Sequence, residues 1–273
     1  MSNIDSTTQK YFHRRPATEW PAQRVVASMI GSLPMGGAIA DTPVHAFAAT
    51  PASLHFAAQA QLHPQRSDID LGGLLAFAID DVVTADEADE VVAASEVFGY
   101  RHEAPGISTP PGMRMNKSVH WLADEALLGP IMTRIAPLLP AMIDGAVLHQ
   151  RLSHRMNMYR YDDNDVFNRH IDGDWPGYGL NDDRTVMEEW PGLRSCLTML
   201  LYLNGPEDGV VGGNTRLLSR DGTWIDVVPK KGSALFFRHG FTQSSVSHVG
   251  ARVSGPVPKY VARINVMYAP AQR

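Results

Sequence analysis

Cysteine is almost absent from this chain of 273 residues, in which Cys196 is the single example. One cysteine excludes a disulfide within the chain and any metal site built from several thiolates. Charged residues are also few, at 19%, and the formal net charge is −5. Proteins that hold nucleic acid through a basic surface carry the opposite balance, so we expect no nucleic-acid partner. Because disulfides are rare in the cytosol, the low cysteine content favours a cytoplasmic location.

The sequence has no apolar run that is long enough to cross a membrane as a helix. The nearest candidate, Val25 to Ala40, contains Pro34 and three glycines. It follows three arginines, but two prolines and a glutamate interrupt the run between the first two arginines and the apolar stretch, which makes it a poorly formed targeting signal. We therefore expect no membrane partner, and we interpret this part as an extension of the main domain.

Hydrophobic residues make up 44% of the chain, which is enough for one large core. Residues 1–70 are rich in Ala, Ser, Pro and Gln and show no sustained period. We interpret them as an N-terminal extension of unknown role with one or two short helices, for instance near Ala52 to Gln61. Residues 71–273 then form the main domain, with helical support over about 71–147 and a β core over about 148–270.

The first clear helix signal is Thr84-Ala85-Asp86-Glu87, a capping box in which the first and last residues satisfy each other's backbone amides. Apolar residues then recur on one helical face, and Gly99 is a suitable end. A second helix is predicted over Ala123 to Leu139. Both helices are expected to be scaffold.

From about residue 148 the pattern changes to short strand candidates separated by turns that contain glycine. This spacing is typical of a β-sandwich or a double-stranded β-helix. Between two of the strands, Pro176 to Leu193 forms a polar insert that is long enough to be a lid. The strand candidates are Arg155–Tyr161, Val166–His170, Ser195–Asn204, Thr215–Ser219, Trp224–Val228, Ser233–Phe237, Ser245–Val249 and Lys259–Tyr268.

His170 and Asp172 stand one residue apart near the end of a predicted strand. In an extended chain, residues i and i+2 point to the same side, so both can reach one ion. Iron(II) oxygenases use two imidazoles and one carboxylate on one face of the metal. For the third ligand, His248 is a better candidate than His239, which lies in a turn pattern. By itself, His-x-Asp also fits a surface turn, whereas a calcium loop is a poorer interpretation because the nearby acids lack the required spacing.

Further motifs follow this pair in a fixed order. Tyr161 ends "MNMYRYD" before it, and "TMLLYLN", "GGNT", "VVPKKGSALFF" and "SHVGARVSGPVPKYVARINVMY" come after it. Each motif is weak alone, but the ordered set resembles the prolyl 4-hydroxylase-like branch of the 2-oxoglutarate and iron(II)-dependent dioxygenases. The resemblance covers about residues 75–270. It implies a mainly β fold with flanking helices (α+β) and a double-stranded β-helix core, which is the jelly-roll or cupin-like arrangement.

The resemblance implies that His170, Asp172 and His248 bind iron(II) and act in catalysis through it. Tyr161 and Thr198 match positions whose hydroxyls help hold the cosubstrate 2-oxoglutarate. The implied reaction consumes O2 and yields succinate and CO2 while a substrate carbon is hydroxylated. The Asp172 carboxylate makes a halogenase less suitable, because related halogenases lack this ligand.

Lys259 matches the cation that binds the far carboxylate of 2-oxoglutarate. A desolvated carboxylate needs such a partner. Arg263 lies four residues later on the same strand face, so it either assists Lys259 or replaces it. The spacing from His248 to Lys259 is one residue longer than the commonest spacing of the family, which leaves open which cation is the main one.

The substrate is predicted less directly. The loop from Thr109 to Trp121 carries Arg114, Asn116 and Lys117, which suit an acidic or amino-acid substrate, although a structured surface loop is an equal alternative. Trp190 in the insert is a further candidate. We expect a small polar molecule, such as a free amino acid, and as an alternative a prolyl residue in a peptide or protein. The oligomeric state is not predicted.

A rival hypothesis from another class is a non-catalytic β-sandwich module that binds a metal or a sugar. Lys259 separates the two hypotheses, because a module that only binds metal has no use for a cosubstrate cation at that position.

Overall fold

The computed structural model describes residues 20–29, 41–58, 61–102 and 112–271. The basic residues before Trp20, most of the weakly apolar segment after Met29, and the start of the loop from Thr109 lie outside these ranges. No helix among the described residues is both long and apolar enough to cross a membrane. The cytoplasmic location stays a prediction.

Strands dominate the described chain, and two helices flank them. The helices are α1 (Ala85–Phe98) and α2 (Glu125–Ile135), with 3₁₀ turns at Ala52–Leu54, Ala136–Leu138 and Pro206–Asp208. The strands are β1 (Gln23–Met29), β2 (Thr42–Phe47), β3 (Gln65–Asp68), β4 (Ala76–Asp80), β5 (Lys117–Leu122), β6 (Met142–Ile143), β7 (Ala146–Leu152), β8 (Arg155–Tyr161), β9 (Phe167–His170), β10 (Pro176–Leu180), β11 (Met187–Tyr202), β12 (Val211–Gly212), β13 (Thr215–Leu218), β14 (Trp224–Val227), β15 (Ala234–Arg238), β16 (His248–Gly250), β17 (Val253–Ser254) and β18 (Lys259–Pro270).

Two sheets form the core. The larger one has the strand order β1-β2-β5-β8-β18-β11-β15-β4-β3, and the smaller one has the order β14-β13-β16-β9. Side chains alternate between the two faces of a strand. On β8, Met156 and Met158 therefore pack into the main hydrophobic core with the helices, while Tyr159 and Tyr161 face the smaller sheet. The predicted mainly β fold with a jelly-roll core is confirmed.

The helix α1 begins as predicted. Thr84 accepts a hydrogen bond from the Glu87 amide at 3.1 Å, and the Glu87 carboxylate accepts one from the Thr84 amide at 2.9 Å. A cap of this kind stabilises a helix by about 1 kcal/mol. The helix ends at Gly99, whose φ of 78° is a left-handed conformation that favours glycine. In addition, Arg134 of α2 donates to both Glu87 oxygens, at 2.7 and 2.8 Å, and so ties the two helices together.

The N-terminal extension contributes strands to the larger sheet. β2 pairs in parallel with β5, and β1 pairs with β2. The helix expected near Ala52 to Gln61 is wrong: the described residues there contain only the 3₁₀ turn Ala52–Leu54. The initiating residue Pro51 provides no side-chain cap, and a short uncapped segment does not repay the cost of helix nucleation. Leu54 and Phe56 are instead buried in the core.

The predicted polar insert is a β-hairpin. It comprises β10 and the first half of β11, so β11 begins at Met187 and not at Ser195. The Trp190 indole lies flat against β10, where a Cβ at Gly177 would come within 2.8 Å of the ring and one at Gly179 within 2.7 Å. Tyr178, Leu180 and Met187 pack against the apolar cluster formed by β1, β2 and β5.

Candidate active site

The three predicted metal ligands converge between the sheets. His170 ends β9 and His248 begins β16, and these two residues are direct partners across the antiparallel pairing of the two strands. Their ring centroids lie 4.1 Å apart. Asp172 follows β9, with Oδ1 3.7 Å from His170 Nε2 and Oδ2 3.9 Å from His248 Nε2. One ligand atom from each residue therefore falls within 4.8 Å of the others.

Hydrogen bonds and burial keep both histidine side chains neutral, with Nε2 free to bind a metal. His170 Nδ1 lies 2.7 Å from the Asn168 carbonyl oxygen, and His248 Nδ1 lies 3.2 Å from the Val246 carbonyl oxygen. Each Nδ1–H therefore donates to the backbone, which leaves the Nε2 lone pair for a metal. Burial, helped by the neighbouring His248, lowers the pKa of His170 to about 3, and burial also lowers the pKa of His248. Two neutral imidazoles and one carboxylate with open space beside them fit an iron(II) site.

The Asp172 carboxylate is ionised and held in place. Oδ2 accepts hydrogen bonds from Thr198 Oγ1 at 2.7 Å and from Arg263 Nε at 2.9 Å. Burial alone would raise the pKa of Asp172, but Arg263 and the two histidines outweigh it and hold that pKa well below its usual range. Second partners of this kind fix the orientation of a metal ligand and raise metal affinity.

A chain of hydrogen bonds continues behind Asp172. Because Thr198 donates its hydroxyl proton to Asp172, it accepts from His239 Nδ1, 2.8 Å away. His239 Nε2 then accepts from Ser195 Oγ at 2.7 Å, and Ser195 Oγ accepts from the Trp175 amide at 2.9 Å. The sequence offered His239 as the weaker ligand candidate in a turn. The structure buries it completely behind the metal site, where burial and Arg263 lower its pKa to about 3 and keep it neutral.

Lys259 closes the cavity at the other end. Its side chain is 2% exposed, and its ammonium donates to the Gly213 carbonyl and lies 5.2 Å and 5.4 Å from the ring centroids of Tyr161 and Tyr202. No acidic side chain among the described residues pairs with it, and burial lowers its pKa to about 7. Gly213 is needed at this point, because its φ is 71° and a Cβ would lie 2.9 Å from Lys259 Cδ.

One open cavity of about 370 Å³, including the space at its mouth, joins the metal ligands to Lys259. A buried cation without an anion at the end of a cavity fits a carboxylate-bearing cosubstrate such as 2-oxoglutarate. The residues that line the cavity are Tyr159, Tyr161, Phe167, His170, Asp172, Leu200, Thr215, His248, Gly250, Lys259, Val261 and Arg263.

Some predicted site residues lie in the cavity and others do not. Tyr161 and Arg263 line it, but Thr198 does not, and its hydroxyl is engaged by Asp172 and His239. The predicted contact of Thr198 with 2-oxoglutarate stays a prediction. Trp190 also lies elsewhere, with its ring centroid 4.9 Å from that of His154.

The predicted loop residues lie beside the cavity. The Arg114 guanidinium lies over the rings of Tyr159 and Phe167, at 4.8 and 5.1 Å. Asn116 is buried and accepts from Arg114 Nε at 3.3 Å, so it supports Arg114, and it is not among the residues that line the cavity.

Sequence inspection missed Tyr159, Thr215 and Tyr202. Tyr159 shares its strand face with Tyr161, and this i, i+2 relation was a usable signal. Thr215 stands in the quoted "GGNT" motif, and its hydroxyl accepts from Tyr202 at 2.8 Å. That hydrogen bond joins two strands of different sheets, so no local sequence pattern predicts it.

Comparison with known proteins gives one match to a family. Residues 156–267 match the model of the 2OG-Fe(II) oxygenase superfamily. This range contains every cavity-lining residue. No curated protein matches the chain.

Several solved structures are similar at low identity. The viral collagen prolyl hydroxylase of Paramecium Bursaria Chlorella virus-1, in its 2OG complex, is 20% identical, with 73% of this chain and 98% of that chain covered and a TM-score of 0.48. A Pseudomonas putida prolyl-4-hydroxylase is 16% identical, with 72% and 95% covered and a TM-score of 0.49. A Trichoplax adhaerens prolyl hydroxylase, in complex with a hypoxia inducible factor peptide fragment, is 16% identical, with 71% and 83% covered and a TM-score of 0.45.

The family match contains the site, since the matched range supplies two neutral imidazoles, a fixed carboxylate and a buried cation. Residues 156–267 therefore resemble the 2OG-Fe(II) oxygenase superfamily, and the residues of the site fit a dioxygenase that uses Fe(II), 2-oxoglutarate and O2.

Proposed function

We propose that the protein hydroxylates a carbon of its substrate while it consumes 2-oxoglutarate. One observation carries the proposal: the His170, Asp172 and His248 ligand atoms open into the same cavity as the unpaired ammonium of Lys259. When bound, iron(II) and 2-oxoglutarate would supply the oxidising chemistry for attack on a C–H bond.

The residues of the chain have separate tasks in this proposal. The two histidines and Asp172 would hold the metal, and Lys259 would hold the far carboxylate of 2-oxoglutarate. Leu200 and Val261 line the cavity between these poles with apolar surface, which excludes water and strengthens charge interactions inside it. No side chain is needed as a general acid or base.

The substrate class is proposed more broadly. The names of the similar solved structures are those of prolyl hydroxylases, which agrees better with the prolyl alternative than with the free amino acid placed first from the sequence. Both classes therefore enter the test. Candidates are free amino acids and short peptides that contain proline, each assayed for stimulated succinate formation.

The first experiment needs no substrate. Anaerobic protein with iron(II) and 2-oxoglutarate should develop a weak visible charge-transfer band. The band should be lost in Asp172→Ala and kept in Asp174→Ala. Asp174 is a matched control because it is only two residues away and pairs with Arg194 on the surface. Absence of the band in the unaltered protein would overturn the proposal, and a band in Asp172→Ala would remove that residue from the site.

The same experiment separates the rival binding module. A module that only binds a metal or a sugar would take up iron(II) without gaining affinity for 2-oxoglutarate. The proposed enzyme should instead bind 2-oxoglutarate more tightly when the metal is present.

A further inference from the structure

Arg155, the first residue of β8, is a buried cation without an anion. Its side chain is only 3% exposed, and its Nε donates to no acceptor among the described residues. Its guanidinium lies over the Trp175 ring, whose centroid is 4.5 Å away. Ionised side chains are almost never buried without a partner, because desolvation of an unpaired charge costs several kcal/mol.

Among the described residues, no acid compensates the charge of Arg155. Burial, together with the nearby Arg263, lowers the pKa of Arg155 to about 10, so it is still charged at neutral pH. Only the Tyr178 and Tyr159 side chains oppose this shift. A bound anion would supply the missing counter-charge.

Arg155 faces the space that contains the metal ligands. It has the same parity on β8 as the cavity-lining Tyr159 and Tyr161, and the pairing of β8 with β5 and β18 has no bulge. It precedes Asn157 by two residues on β8. Asn157 is the cross-strand neighbour of Arg263, which donates to Asp172. Its stacking partner Trp175 follows Asp172 by three residues.

The two unpaired cations lie on opposite sides of the metal ligands. Lys259 pairs with Tyr161 at one end of β8, and Arg155 is the residue at the other end. Six residues of strand separate these levels, which is about 20 Å at roughly 3.3 Å per residue. The metal ligands lie between them, at the level of Arg263.

A second guanidinium lies beside the cavity, against two of the rings that line it. Arg114 covers the rings of Tyr159 and Phe167, and its Nη2 is buried without a hydrogen-bond partner among the described residues. Each of the two arginines has a buried donor without a partner among the described residues, and a guanidinium fork matches a planar carboxylate.

We propose that Arg155, assisted by Arg114, binds a carboxylate of the substrate, so that the substrate is an anion whose charge lies a few bonds from the oxidised carbon. This inference rests on the proposed function and names its substrate class. The carboxylate is either the α-carboxylate of a free amino acid or the side chain of an acidic residue in a peptide.

Propionate and propionamide are suitable probes, because they differ only in the charged group. Binding is measured by calorimetry on anaerobic protein saturated with iron(II) and 2-oxoglutarate, so that Lys259 is already occupied. Propionate should bind more tightly than propionamide, and Arg155→Gln should weaken propionate binding by about 10- to 100-fold, the range for a lost charged hydrogen-bonding group. Arg155→Lys should recover part of the loss.

Arg151→Gln is the matched control. Arg151 also stacks on a tryptophan, with the Trp190 ring centroid at 4.3 Å, but it is 44% exposed and pairs with Glu125. Its replacement should leave propionate binding unchanged. Equal propionate binding by the unaltered protein and Arg155→Gln, or no preference over propionamide, would overturn the inference.

The charge-transfer band distinguishes this failure from failure of the proposed function. If the unaltered protein and Arg155→Gln both show the band but bind propionate equally, only the proposed substrate-anion site is contradicted. If the unaltered protein shows no band, the proposed oxygenase function itself is contradicted. If Arg155→Gln does not fold, Arg155→Lys and the propionate–propionamide pair still decide the question.

Two further pairs of candidate substrates, assayed for stimulated succinate formation, distinguish a free amino acid from an acidic peptide as the source of the carboxylate. The first compares L-proline with L-prolinamide, and the second compares proline peptides with a neighbouring Asp or Asn. Discrimination in the first pair assigns a free amino acid, and discrimination in the second assigns an acidic peptide. Activity that ignores charge in both pairs counts against an anionic substrate.

Discussion

Lys259 and Arg263 lie four residues apart on one face of β18, and both are buried, yet their surroundings differ. Arg263 donates to Asp172 at 2.9 Å, whereas Lys259 meets only a backbone carbonyl and two aromatic rings. Burial by itself lowers the pKa of both cations, but beside Asp172 the pKa of Arg263 is raised on balance, while that of Lys259 falls to about 7.

This difference supports one side of the question that the sequence left open, namely which cation binds 2-oxoglutarate. A cation that already neutralises a buried carboxylate has little charge to offer a ligand, whereas an uncompensated one gains most from an incoming carboxylate. We therefore assign Lys259 to 2-oxoglutarate and Arg263 to the orientation of Asp172. The assignment stays a proposal, and the following four changes test it.

The largest effect is expected for Lys259→Met, which keeps the length of the side chain and removes its charge. Affinity for 2-oxoglutarate should fall about 10²- to 10³-fold, since a buried charged partner contributes about 2–5 kcal/mol to binding. The ligand-free protein should become more stable by about 1–3 kcal/mol, because an uncompensated buried charge is removed. Calorimetry and denaturant unfolding measure the two quantities. A larger loss of 2-oxoglutarate affinity in Arg263→Met would exchange the two roles.

Arg263→Met should act on the metal instead. Loss of the hydrogen bond to Asp172 should weaken metal binding by about 10- to 100-fold, the usual range for a residue that orients a ligand. A titration with Mn²⁺, followed by electron paramagnetic resonance, measures this change. Unaltered Mn²⁺ affinity in a folded variant would show that Asp172 needs no support from Arg263.

Thr198→Val should have a smaller effect of the same kind. It removes a neutral hydroxyl from Asp172 and preserves the shape of the side chain, so metal affinity should fall by about 10-fold. The affinity for 2-oxoglutarate at saturating metal should stay nearly constant. A selective loss of 2-oxoglutarate binding would instead restore the direct contact that was predicted from the sequence.

The smallest expected effect is a dependence on pH. Lys259 must be protonated to bind the carboxylate, and its pKa of about 7 implies that affinity for 2-oxoglutarate falls about fivefold between pH 7 and 8. Lys259→Arg should show no such decline. The stability of the ligand-free protein changes with pH in the opposite direction. The lysine of the unfolded chain keeps its proton up to about pH 10.5, so the free energy of unfolding rises as pH increases from about 7. A flat affinity profile in the unaltered protein would place the pKa of Lys259 elsewhere.

The sequence was informative where function depends on local spacing. The bounds of β8 agree with the prediction, the capping box forms, and His170, Asp172 and His248 meet. Strand periodicity and the order of the motifs carried this information, because both are readable along the chain.

Contacts between distant segments were not readable in the same way. The motif around Thr198 does not show whether its hydroxyl contacts 2-oxoglutarate or other residues of the protein. Only the fold brings Asp172 and His239 to that hydroxyl. Likewise, Trp190 was expected near the substrate as a large aromatic residue in a polar insert, yet the glycines of β10 give it a flat surface elsewhere. The strands β1 and β2 were missed because their composition shows no sustained alternation.

These two strands have a consequence for the assembly of the protein. The parallel contact of β2 with β5 uses the pairs Val44↔His120 and His45↔Trp121, and it covers hydrogen-bonding groups that would otherwise form an open sheet edge. A shortened chain that begins after Phe47 would present this edge, together with the apolar side chains of the hairpin, to other copies. Its first defect would be aggregation, before any step of the reaction was affected.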